Sequence, residues 1–151
     1  MTNITPSKAI RVGISLGEIP LDVYQMPSLI YKMSGRNVTD AIDEPNNSLI
    51  RIHGVKSLKA LPHADSSLIQ VKAVTGETFI PVSIEDAAFY WAEMAQRGNN
   101  KAKAILIACT VESIERRADH ALGIMRSEDE RNERSKLRMS RVLARYSWTD
   151  T

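Results

Sequence analysis

The stretch "SGRNVTDAIDEPNNSLIRIHG", residues 34–54, decides how this chain is to be read. Ser34 offers a side-chain oxygen to the free amides of a first helical turn. Val38, Ala41 and Ile42 then fall at i, i+3 and i+4, forming one narrow apolar stripe. Pro45 disfavours helical backbone at Glu44, so the first segment is expected to end near Asp43. Asn46, Asn47 or Ser48 can cap a second segment that carries Leu49, Ile50 and Ile52, with Gly54 as its stop. A strand over "LIRI" is the alternative. Two short helices at a sharp corner make a helix-turn-helix-like pair with Arg51 and His53 on its wet side, although an ordinary helical corner reads the same way.

Upstream, Ile10, Val12, Ile14 and Leu16 alternate with Arg11, Gly13 and Ser15, the period of a half-buried strand. Gly17-Glu18 suits a two-residue hairpin loop of type II′, and Ile19, Leu21 and Val23 repeat the alternation. Pro20 has no N–H, so the second strand needs an open edge there. Residues 29–33 read as a third short strand. Downstream, "LIQVKAVTGETFIPVS" reads as a second hairpin turning at Thr75-Gly76. Ile69, Val71 and Ala73 face one way along it and Gln70 and Lys72 the other.

From Ser83 the period becomes helical. "SIED" resembles a capping box, with Asp86 near the positive end of the helix dipole. Ile84, Ala87, Ala88, Trp91 and Ala95 are the expected core stripe, and Gly98 ends the helix. Tyr90, off that stripe, is expected on the surface or against a partner. A long helix follows over residues 101–122, buried in its first half, with Cys109 as core. In its second half Val111, Ile114 and Ala118 are expected inward, while Glu112 pairs with Arg116 at i+4. A last charged helix covers residues 128–146, with Leu137, Val142, Leu143 and Tyr146 as its apolar side. The expected fold is α+β: N-terminal β-hairpins with a short helix pair, then a helical C-terminal half of three helices. Residues 1–123 would form one module, and residues 124–151 a charged helix that packs on it or mediates dimerisation.

The 151 residues suffice for one hydrophobic core, and a 43% hydrophobic, 25% charged composition is that of an ordinary globular protein. No apolar run approaches the roughly 20 residues that span a bilayer. The first ten residues hold no secretory apolar segment, and a single cysteine fits a reducing cytoplasm. Three histidines and one cysteine, at no zinc-site spacing, offer no metal centre. Phosphate loops, nucleophile elbows and HExxH are missing, so those enzyme classes are excluded. One weak catalytic pattern remains: Asp65 with Gln70 and Lys72 is a degenerate version of the acid, acid-x-Lys arrangement of Mg²⁺-dependent nucleases. Net charge is only +2, but between residues 131 and 145 six basic residues face one acid, Glu133. Such a run is either a polyanion-binding surface or a solvated helix face.

The order of elements resembles the BRO-N and KilA-N modules of phage antirepressors and related mobile-element regulators. The residues that carry the likeness are "YKMSGRNVTDAIDEPNNSLIRI" (31–52), "SIEDAAFYW" (83–91) and "NNKAKAIL" (99–106), within a pattern over residues 10–120. That resemblance implies a sequence-specific regulator of double-stranded DNA, cytoplasmic, needing no cofactor. It implies that Asn46, Asn47, Ser48, Arg51 and His53 are presented to the groove, where Arg reads guanine and Asn reads adenine or holds a phosphate. Lys56, Lys59 and either Gln70 or Lys72 would position phosphates. Arg131, Arg134, Arg138 and Arg141 would clamp the backbone or pair with a second copy, and the small footprint implies a homodimer. Two alternatives stay open. One is a small homodimeric Mg²⁺ endonuclease using Asp65, Gln70 and Lys72. The other is an antirepressor that binds a protein partner through residues 83–97.

Overall fold

The computed structural model describes residues 8–52 and 71–147. In chain order these form β1 (Ile10–Leu16), β2 (Ile19–Gln25), β3 (Tyr31–Ser34), α1 (Gly35–Asp40) and α2 (Asn47–Ile52). There follow β4 (Val71–Lys72), β5 (Thr78–Phe79), β6 (Pro81–Ser83), α3 (Ile84–Gln96), α4 (Asn100–Leu122) and α5 (Glu128–Ser147). The fold is α+β, strands leading into a helical C-terminal half, as the periodicities require. The chain divides into two compact units, one of Met1–Ile14 with Leu21–Tyr90, the other of Ser15–Pro20 with Trp91–Thr151. That division falls inside α3, whereas the sequence suggested one after Gly123.

In the first unit a sheet has the order β1-β2-β3-β6. Val23 pairs with Met33 and Met33 with Val82, both antiparallel. β2 lies between two strands, yet its ladder to β3 begins only at Val23, so Pro20 has no ladder partner on that side among the described residues. The expected second hairpin splits. Val71–Lys72 and Thr78–Phe79 form a separate small ladder around Gly76, whose φ of 103° only glycine adopts freely. Residues 81–83 instead join β3, and the Gly35 N–H extends that ladder to the Ile80 carbonyl at 3.0 Å. The split has a packing cause. Phe79 stacks on Tyr24 with ring centroids 3.9 Å apart, in a cluster with Ala9 and Ala73, while Val82 is buried beside Met33.

β1 departs from expectation. Its alternation is real, but Ile10, Val12 and Ile14 are 41%, 47% and 47% exposed. β1 is the outer strand, and burial on that side begins with Leu21 and Val23 of β2.

The stripe of α3 is also rotated from the expected one. Ala87, Tyr90, Trp91 and Met94 are buried at i, i+3, i+4 and i+7, whereas Ile84 and Ala88 are exposed. Tyr90, expected on the surface or against a partner, is fully buried. Ser83 caps the helix as anticipated, its Oγ accepting from the Asp86 N–H at 3.0 Å.

In the second unit, Asn99 caps α4 through the Ala102 N–H at 2.9 Å, and Gly123 closes it at φ 70°. Ala102, Ala104, Ile105 and Ala108 bury the first half, but Cys109 is exposed rather than core. Its thiol is nonetheless pushed up to about 11, by desolvation and then by the Glu112 charge, so it stays a thiol. In the second half the inward side is ionic. Ile114 is 63% exposed and Ala118 also faces out, whereas Asp119 is buried and Glu112 and Glu115 are partly covered. Ser135 and Met139 are the buried positions of α5, and Leu137 is exposed. Among the described residues no helix is long and apolar enough to cross a membrane.

Candidate functional site

The corner made by residues 34–52 is built from its hydroxyls and amides. Ser34 Oγ accepts the Asn37 N–H at 3.0 Å, which starts α1. The buried Thr39 hydroxyl lies 3.0 Å from the Arg36 carbonyl and 3.4 Å from Asn46 Oδ1, tying α1 to the turn. The reversal runs through Asp43 at φ 58°, with the Glu44 N–H bonded back to the Thr39 carbonyl at 3.0 Å. Ser48 N–H then bonds the Pro45 carbonyl at 2.9 Å as α2 begins.

Ser48 is fully buried, its Oγ 2.7 Å from the Tyr90 hydroxyl. This corrects the expectation that Ser48 faces a groove of DNA, because a hydroxyl committed to a buried partner is withdrawn from solvent. Leu49 is buried beside it, its Cδ2 at 3.4 Å from where a Cβ on Gly35 would stand. The inner side of α2 is thus an anchor. Asn46 and Asn47 remain exposed. Arg51 belongs to α2, with its side chain outside the described residues; His53, Lys56, Lys59, Asp65 and Gln70 lie outside them as well. Lys72 is exposed on β4.

Asn46 and Asn47 border an open groove of about 810 Å³, together with Arg36, Asn37 and Asp40 of α1. Arg36 and Asp40 are exposed. Asn37 Oδ1 accepts the Asp22 N–H at 2.9 Å, so its orientation is set by β2. The far wall is a closed ionic cluster that sequence reading missed. Arg11 lies 3.1 Å from Asp22 and 3.7 Å from Glu77, and the Tyr24 hydroxyl donates to Glu77 Oε2 at 3.0 Å. Burial, then Glu77, pushes the Tyr24 phenol up to about 12, which keeps it neutral. The Thr75 hydroxyl, then Tyr24 and Arg11, lower the Glu77 carboxyl. Pairing across the first hairpin was the signal for Arg11 and Asp22; Glu77 had none, since it arrives from a distant turn. The cluster fixes one wall and offers no free base.

The C-terminal arginines are not an open clamp. Arg131 lies 3.2 Å from Asp119, which Arg126 also reaches at 3.0 Å. Arg134 makes a two-bond fork to Glu115 at 3.1 and 2.8 Å, and Arg138 closes on the same carboxylate. With Arg134 donating first and Arg138 second, the Glu115 carboxyl falls to about 2. Glu112, besides its expected bond to Arg116 at 3.0 Å, accepts from the Ser135 hydroxyl at 2.9 Å. Three of the six basic residues of α5, Arg131, Arg134 and Arg138, are therefore the complement of an acidic row on α4. Arg141 and Arg145 are the exceptions, exposed and without an ion pair among the described residues.

No group of three or more His, Cys, Asp or Glu able to hold a metal ion occurs among the described residues. Comparison with protein-family models, with curated proteins and with solved structures finds nothing that matches this chain.

Proposed function

We propose that the chain is a sequence-specific regulator that binds double-stranded DNA through the corner of α1 and α2. The observation that carries this reading is the anchored corner. Ser48, Leu49 and Thr39 are buried beneath it, and Asn46, Asn47 and Arg36 stand exposed along one groove. Side-chain amides and a guanidinium held by a rigid base are the groups that read base edges and phosphates. Arg36 replaces the buried Ser48 in the contact set, and Arg51 remains in it on sequence grounds. A gel-shift series against salt tests the proposal. Log affinity is expected to fall linearly with log salt, and Arg36→Ala to lower that slope by about one. Asn47→Ala should cost about 1–3 kcal/mol on a preferred site and much less on random DNA. No shift at low salt, or a salt-independent one, overturns the reading.

One observation favours a second reading, a protein partner contacted through α3. Ile84 and Phe89 on that helix are 46% and 52% exposed, beside the exposed Ala88. Phe89→Glu would then abolish partner binding while leaving any DNA shift unchanged.

A further inference from the structure

We infer that β1 is a self-pairing edge, through which two copies of the chain join their sheets antiparallel about a two-fold axis at Val12. β1 ends the strand order, and the Ala9 carbonyl accepts the Val74 N–H at 2.8 Å. By the alternation of a ladder, the N–H and C=O groups of Arg11 and Gly13 share that outer edge, and no described residue pairs with them. Exposed edges are normally blunted by lysine, proline or an inward charge. Residues 10–14 hold neither lysine nor proline. Their one charge, Arg11, is held by Asp22 and Glu77 of its own chain.

The sequence of the edge is self-complementary. A two-fold at Val12 sets Ile10 opposite Ile14, Val12 opposite Val12, and Arg11 opposite Gly13. The half-exposed aliphatic column of one copy then continues into that of the other, and no like charges face each other. Gly13 supplies a second, independent argument. Its φ is not in the left-handed region, and a Cβ there would meet only Asp22 Oδ1, at 3.8 Å. Nothing among the described residues requires a glycine at this point of a strand, where it weakens the element. In the paired edge, the missing side chain leaves room for the partner's Arg11 stem. Val74 closes the edge at Ala9, so the ladder is short and the association concentration-dependent.

The inference does not rest on the DNA reading. In sedimentation equilibrium of the full chain, the wild type is expected to dimerise at high micromolar concentration. Val12→Lys and Gly13→Val should each raise the dissociation constant at least about tenfold, with unchanged circular dichroism. In a Cys109→Ser background, Val12→Cys should cross-link to itself with diamide. Directly opposed, non-hydrogen-bonded residues have Cα atoms about 4.5 Å apart, within disulfide reach. A wild type monomeric to its solubility limit overturns the proposal and leaves the edge to a strand of another protein. A dimer indifferent to both substitutions, or a Val12→Cys chain that does not cross-link while dimeric, overturns it as well.

Discussion

At the scale of single residues, Ser48 shows how far side-chain chemistry alone misleads. A serine after two asparagines at a helix start has every property of a cap or a phosphate ligand, and its neighbours are indeed exposed. Its burial depends on Tyr90, forty-two positions away, whose own direction depends on which stripe of α3 turns inward. Ser48→Ala removes one side of a buried 2.7 Å bond and is expected to destabilise the fold by about 1–2 kcal/mol in urea unfolding. DNA affinity measured on the folded fraction should not change. A loss of affinity without a loss of stability would return Ser48 to the contact surface. By contrast, Ser34 and Ser83 cap their helices where the sequence places them, because capping is settled within one turn of chain.

At the scale of elements, the pairing of α4 with α5 is governed by charge where a stripe of apolar residues was expected. Ile114 and Ala118 look like part of an inward face, but Glu112, Glu115 and Asp119 take it, because α5 presents Ser135, Arg131, Arg134 and Arg138. Bidentate and shared pairs of this kind offset the desolvation they incur better than isolated ones. Glu115 gives the seam a pH dependence whose sign is fixed. Its folded value is about 2, below the ordinary 4.5, so its contribution is complete above about pH 4.5 and is lost as pH falls toward 2. Glu115→Gln should cost about 1–2 kcal/mol at pH 7, after allowance for its partial exposure, and flatten the fall in melting temperature between pH 4.5 and 2. An unaltered acid limb would show that the fork contributes nothing.

At the scale of the whole molecule, the distribution of charge decides what the basic C-terminal run is for. Arginines neutralised within a helix pair do not release counterions from DNA. Arg131→Ala should therefore leave the salt slope of binding unchanged while lowering stability, and Arg141→Ala should lower the slope by about one. Equal slope losses for both would restore the clamp. The sequence by itself determined the α+β class, the first hairpin, the caps at Ser34 and Ser83, the stop at Gly98, and the corner at Pro45. Each of these is dictated by local backbone preference or by a period that a short window contains. Only the tertiary structure decided that β6 leaves its hairpin for β3, and that β1 keeps its aliphatic face in the open. It alone decided, too, that Ser48 and Tyr90 meet, and that acids rather than aliphatics line α4 against α5. These follow from which faces of distant segments complement one another, and that complementarity is a property of pairs of surfaces which no single stretch of chain carries.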